Sequence, residues 1–97
     1  MLIVSQIKSY VSLAHPLFAK TAKLCESRNY PVNLDHVTWI ETDAHIYDAN
    51  NHPKPAIVFH FIHQDSVTWA GYETEEQRDL AVQAIQMKMK SAEVSHL

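Results

Sequence analysis

Two hydrophobic rhythms run along this chain. Between residues 2 and 28, Ile3, Ile7, Tyr10, Val11, Ala14, Leu17, Phe18, Ala22 and Cys25 recur at spacings of three and four, the period of an amphipathic helix. Pro16 interrupts the series, and proline suits a first helical turn rather than an interior. The pattern predicts a helix to about Ala14 and a second from Pro16 to Arg28. The β-branched start leaves a short strand at 2–4 as an alternative. Asn29-Tyr30-Pro31 stops the second helix. From there the rhythm becomes that of strands: Val37–Thr42, with continuation through Ile46 and Tyr47; Ala56–His63, rich in β-branched and aromatic residues; and Ser66–Tyr72. Turn formers from Asp48 to Pro55 predict a loop, and Gln64-Asp65 a tight turn.

The last element is a helix from Thr74 to about Lys90. Thr74-Glu75-Glu76-Gln77 has the capping-box pattern, in which the Thr hydroxyl accepts from the Gln77 N–H and the Gln side chain returns to the Thr74 N–H. Ala81, Ala84, Ile85 and Met89, flanked by Leu80 and Val82, are its expected buried stripe. Glu75, Asp79, Gln83, Gln86 and Lys90 are its expected wet face. The predicted fold is α+β: a three-stranded antiparallel β meander, with N-terminal helices and a C-terminal helix packed chiefly on one face. Short links between strands require antiparallel pairing, and a one-sided meander needs covering. The 97 residues form one domain, 1–97.

Composition narrows the chemistry. The single glycine, Gly71, leaves no glycine-rich loop to cradle a nucleotide phosphate. The lone Cys25 has no disulfide partner within the chain and suits a reducing, cytoplasmic setting. On the predicted helix it is a small hydrophobe rather than a nucleophile. Met-Leu-Ile-Val lacks the basic start of a signal peptide, and no apolar stretch is long enough for a membrane span. Seven histidines invite a metal, but His60 and His63 would point to opposite faces of a regular strand. No His–Cys spacing of a zinc site and no H-E-x-x-H is present. The aromatics Trp39, Phe59, Phe61, Trp69 and Tyr72 are expected in core and sheet packing, and Tyr10, Tyr30 and Tyr47 at the surface. Neither a catalytic motif nor a cofactor is expected.

Charge changes the picture most. Between Tyr30 and Asp79 lie nine acids and two bases, a balance of −7 inside a chain of net charge −3. Asp48 and Asp65 suit turns, and Glu75 and Glu76 suit a helix N-terminus. Local structure does not explain Asp35, Glu41, Asp43, Glu73 or Asp79. Asp79 lies four residues after Glu75, a spacing at which like charges repel. Glu41 and Asp43, two apart on a regular strand, would share a face about 7 Å apart. Such charge is either an ordinary solvated face or a surface that imitates a row of phosphates and suits a basic groove on a protein partner. The helix–strand order also looks like the double-stranded RNA-binding domain. That domain carries lysines where this chain reads Glu75-Glu76-Gln77-Arg78-Asp79, so direct nucleic-acid binding is not expected.

With its helix-plus-three-strand plan and the acids of the 35–79 block, the chain resembles the small phage-encoded anti-CRISPR proteins of the type I-F inhibitor group. The likeness spans the whole chain. It implies a non-enzymatic inhibitor in the bacterial cytoplasm that binds an RNA-guided CRISPR surveillance complex. A DNA-mimicking surface would meet the basic nucleic-acid-binding subunit and block target DNA. Charge reasoning nominates Asp35, Glu41, Asp43, Glu73, Glu75, Glu76 and Asp79 as partner-binding residues. The modest net charge implies a local patch with shape contacts rather than a uniform field. The alternative is a small regulatory protein–protein interaction module that uses an apolar sheet face.

Overall fold

The structure is a computed structural model and describes residues 1–13, 24–48 and 51–94. Its first third is a β-hairpin built from four short strands. β1 (Leu2–Ile3) pairs antiparallel with β4 (Val32–Asn33), and β2 (Ser9–Leu13) with β3 (Leu24–Arg28). Between the two ladders, residues 4–8 on one arm face only 29–31 on the other. The hairpin therefore carries a wide bulge, closed by the Asn29 N–H bonded to the Lys8 carbonyl at 3.1 Å.

The expected N-terminal helices are not found. Residues 2–3 and 9–13 are strands, and so is 24–28, the end of the expected second helix, while 14–23 lie outside the described residues. Cys25 consequently sits on β3, opposite Ser12, and not on a helix. The reason lies in one polar residue. Ile3, Ser5 and Ile7 all point inward, a strand period of two. Ser5 is only 4% exposed, and a buried serine breaks the visible apolar alternation. What remains, Ile3 and Ile7, mimics a helical interval.

A single 3-10 turn (Leu34–His36) leads into β5 (Val37–Tyr47), β6 (Pro53–Phe61) and β7 (Val67–Trp69), an antiparallel meander in the order β5-β6-β7. The expected strand through Tyr47 and the three-stranded antiparallel sheet are thus present. β6 starts at Pro53, inside the expected loop, and among the described residues Asp48 ties the two strand ends together. Its carbonyl accepts from the Asn51 N–H, its side chain from the His52 N–H, and its own N–H donates to the His52 carbonyl. Pro53 and Pro55 join β6 because β7 reaches only Ile57–Phe59, so this stretch has a strand on one side only. The expected third strand is trimmed to Val67–Trp69, and β6 ends at Phe61, two residues short of His63.

Register assigns the faces. Ile40, Ile57, Phe59, Phe61, Val67 and Trp69 share one face and meet Ile3, Val32, Tyr72, Val82 and Ile85 in the core. Phe59 and Trp69 pack edge to face with centroids 4.8 Å apart. α1 (Glu75–Val94) covers this face. Its inward stripe is Arg78, Ala81, Val82 and Ile85, rotated from the expected one. Leu80 is 65% exposed and Met89 38%, and Ala84 is also exposed, because Arg78 occupies the inward position one turn before Val82. The cap forms as expected at the Thr74 hydroxyl, 3.2 Å from the Gln77 nitrogen. The Gln77 side chain reaches one residue further back, accepting from the Glu73 N–H at 2.9 Å.

Two residues lock the hairpin onto the sheet. The buried Asn29 carboxamide accepts from the Ala70 N–H at 2.9 Å, and donates to the Ala70 carbonyl at 2.8 Å and the Ile7 carbonyl at 2.7 Å. Next to it, Gly71 has φ +98°, and a Cβ there would lie 2.7 Å from Ile7 Cγ2, so both conformation and space require glycine. Replacing Asn29 with Ala orphans the Ala70 and Ile7 groups and lowers stability by roughly 2–4 kcal/mol, measurable as a shifted urea midpoint.

Tyr72 adds a pH dependence. Its ring is 5% exposed, and burial pushes the phenol above its ordinary value, with the hydrogen bond to Ser5 pulling partly back. The folded state thus holds this proton more tightly than the unfolded chain. Stability is fully present below about pH 10, the ordinary tyrosine value, and falls as pH rises beyond it. Tyr72→Phe is expected to shrink that alkaline loss in a pH series of urea melts. An identical loss in the variant would assign it to other groups.

Candidate acidic docking surface

The first turn of α1 is fixed against the sheet by Arg78. This side chain is 5% exposed, and Nη1 donates to the Ala44 carbonyl on β5 at 3.1 Å and to the Ala56 carbonyl on β6 at 3.5 Å. Nε donates to Asp79 at 2.9 Å. A basic residue that looks in the sequence like a surface charge is a buried strut between helix and sheet. Asp79, which helix physics left unexplained, is the counter-ion of that strut.

The other nominated acids divide in the same way. Asp35 meets the Met1 amine at 2.6 Å and holds the start of β1. Glu73 lies 3.8 Å from Lys54, and Glu75 lies 3.4 Å from His45. Both pairs are largely exposed, so each contributes little to stability. Their effect is to set Glu73 and Glu75 beside β6 and β5 respectively. Asp43 and Glu76 are exposed, with no ion pair among the described residues. The structure thus brings Glu73, Glu75, Glu76 and Asp79 together at the start of α1. Asp43 precedes Ala44, the residue whose carbonyl holds Arg78. Asp35 and Glu41 lie apart from this group.

Glu41 and Asp43 do not share a face as a regular strand would require. The register shifts between Glu41, opposite Val58, and Ala44, opposite Ala56. One extra residue therefore enters β5, and the bulge takes Asp43 out of the alternation that Glu41 follows. A second shift separates Val37 from Trp39.

On the sheet face away from the core, Glu41 belongs to a different constellation. Trp39 and His60 are register partners whose rings stack at 3.9 Å and 6°. His60 Nε2 and Glu41 Oε1 are 2.6 Å apart. Trp39 is 54% exposed, contrary to its expected place in the packing, whereas Phe59, Trp69 and Tyr72 are buried as expected. Tyr30 and Tyr47 are exposed as expected, at 65% and 67%, and Tyr10 is half-buried against Gly71. Sequence reasoning missed the Trp39–His60–Glu41 group. The available clue was phase: Trp39 precedes the core residue Ile40, and His60 follows the core residue Phe59. Among the described residues, no three His, Cys, Asp or Glu side chains gather as metal ligands. No helix there is long and apolar enough to cross a membrane.

The chain matches no protein-family model, no curated protein and no solved structure.

The strut makes a sharp prediction. Arg78→Leu strands the Ala44 and Ala56 carbonyls and lowers stability by roughly 2–4 kcal/mol. Asp79→Asn costs about 1 kcal/mol or less, because its carboxylate is solvated. Equal losses in chemical denaturation of the two variants would contradict the assignment.

Proposed function

We propose that this protein is a non-enzymatic binding protein that docks its acidic surface on a basic, nucleic-acid-binding site of a protein partner. The observation that carries the proposal is the group at the start of α1. Glu75, Glu76 and Asp79 lie in the first turns of α1 and Glu73 just before it, with the helix braced against β5 and β6 by Arg78 and Asp43 on β5 next to Ala44. A braced set of carboxylates meets a row of Lys and Arg at low reorganisation cost. The resemblance to type I-F anti-CRISPR proteins gives the partner its class: the basic DNA-binding subunit of an RNA-guided surveillance complex, from which target DNA would be excluded. Lys54, His45 and Arg78 interleave with the acids. The proposed surface is accordingly a short patch, not a long duplex mimic. Asp35 and Glu41 are absent from it, since each is engaged elsewhere.

A second reading rests on Trp39, the alternative in which the protein binds through its outer sheet face. An exposed tryptophan held in place by a stacked histidine is the kind of residue on which interfaces concentrate their energy.

Two variants separate these readings in binding measurements with purified type I-F surveillance complex. Asp43→Lys with Glu76→Lys removes two acids that have no ion pair among the described residues, and leaves Arg78 with its counter-ion. The acidic-patch proposal expects the double variant to bind roughly tenfold or more weakly. It also expects wild-type affinity to fall steeply with salt and target DNA to compete. Salt-indifferent binding that is lost in Trp39→Ala would transfer the interface to the outer sheet face.

A further inference from the structure

A separate concavity lies on neither the acidic nor the outer-sheet surface. It is a groove of about 500 Å³ between the 3–7 segment and α1, floored by Trp69 and Tyr72, a volume within the range of small-molecule sites. One wall is Val4 to Ile7, and the other is α1 from Gln77 to Lys88. At about 1.5 Å of rise per residue that helical wall is roughly 16 Å long. Apolar side chains stay open to water on both sides: Val4 is 53% exposed and Leu80 65%. Facing apolar residues left wet across a groove mark a binding surface more than scattered exposure does.

Charge completes the description. Of the described lining residues only Lys88 is ionic, and it has no ion-pair partner among the described residues. It stands at the far end of the helical wall. At the opposite end is Gln77, whose side-chain oxygen already accepts from Glu73. Ser5 in the other wall and Tyr72 on the floor bond each other, and Gln6 is exposed. Among the described residues the groove therefore offers a mostly apolar trough with one positive charge at one end.

We infer that this groove binds a single-chain amphiphile with an anionic head, its apolar tail along Leu80, Ala84 and Ile85 and its head on Lys88. A peptide partner of the same length would bring a backbone needing hydrogen bonds, and the lining supplies few polar groups. A linear hydrocarbon has no such requirement. The inference is independent of the acidic patch, since none of Asp43, Glu73, Glu75, Glu76 or Asp79 lines the groove.

Titration calorimetry of the full chain with monomeric laurate, dodecanol and dodecyltrimethylammonium tests it. The expected result is one laurate per chain, bound roughly two- to fivefold more tightly than dodecanol, the range of a solvent-exposed ion pair, with the cationic amphiphile weakest. Lys88→Gln is expected to equalise laurate and dodecanol. Ala84→Trp, at an exposed helical position, is expected to fill the groove and remove both. The inference is overturned if none of the three binds, if laurate gains nothing over dodecanol, if the preference survives in Lys88→Gln, or if Ala84→Trp binds like the parent. Dimerisation through this face without laurate binding, seen by sedimentation, also overturns it.

Discussion

The Asn29 carboxamide is the bond on which the arrangement of this chain turns. It sits in the hairpin bulge, at the point where 4–8 outnumber 29–31. There it pairs with both polar groups of Ala70, as a neighbouring strand would. Everything near it follows from that attachment. Ile7 is drawn against Gly71, which is why no side chain fits there. Trp69 is brought within 2.7 Å of the Tyr30 carbonyl, so the indole is satisfied while its rings fill the core. Ser5 lies close enough to bond Asn29 and Tyr72 together. A hairpin and a meander that meet in one apolar core are also joined through a buried polar group, which is costly unless paired and is here paired.

The second half of the chain was legible in sequence because its inward positions are apolar. Val37, Ile40, Ile57, Phe59 and Trp69 announce their face, and Thr74 announces the helix start. The first half was not, because Ser5 and Asn29 take inward positions that pattern reading reserves for hydrophobes. The same failure recurs on α1, where Arg78 replaces an apolar residue and rotates the apparent stripe toward Leu80 and Ala84. In each case a polar side chain is buried by finding backbone partners that only tertiary structure brings near. A sequence lists donors and acceptors but does not say which carbonyl lies across the fold.

The acidic block shows the same limit in electrostatic form. Nine acids against two bases suggest a broad negative field, yet five of the seven nominated residues meet a basic partner, Asp79 its chain neighbour Arg78 and the other four a partner distant in sequence. Asp35 has the Met1 amine, Glu41 has His60, Glu73 has Lys54 and Glu75 has His45. Histidines, counted neutral in the formal charge, supply two of these partners. The carboxylates around the start of α1 are neighbours in the sequence itself. What it could not read was how much of that charge the fold already answers.

β5 is an eleven-residue strand at the margin of its sheet. A margin that long, if flat, would offer an open row of backbone donors and acceptors to any other extended chain, including another copy of this one. The two register shifts within β5 break that row into pieces too short and too twisted to template a neighbour. The same bulge that removes Asp43 from the phase of Glu41 thus makes the open edge a poorer template for edge-to-edge pairing than a flat strand of that length. In this strand, irregularity accompanies length.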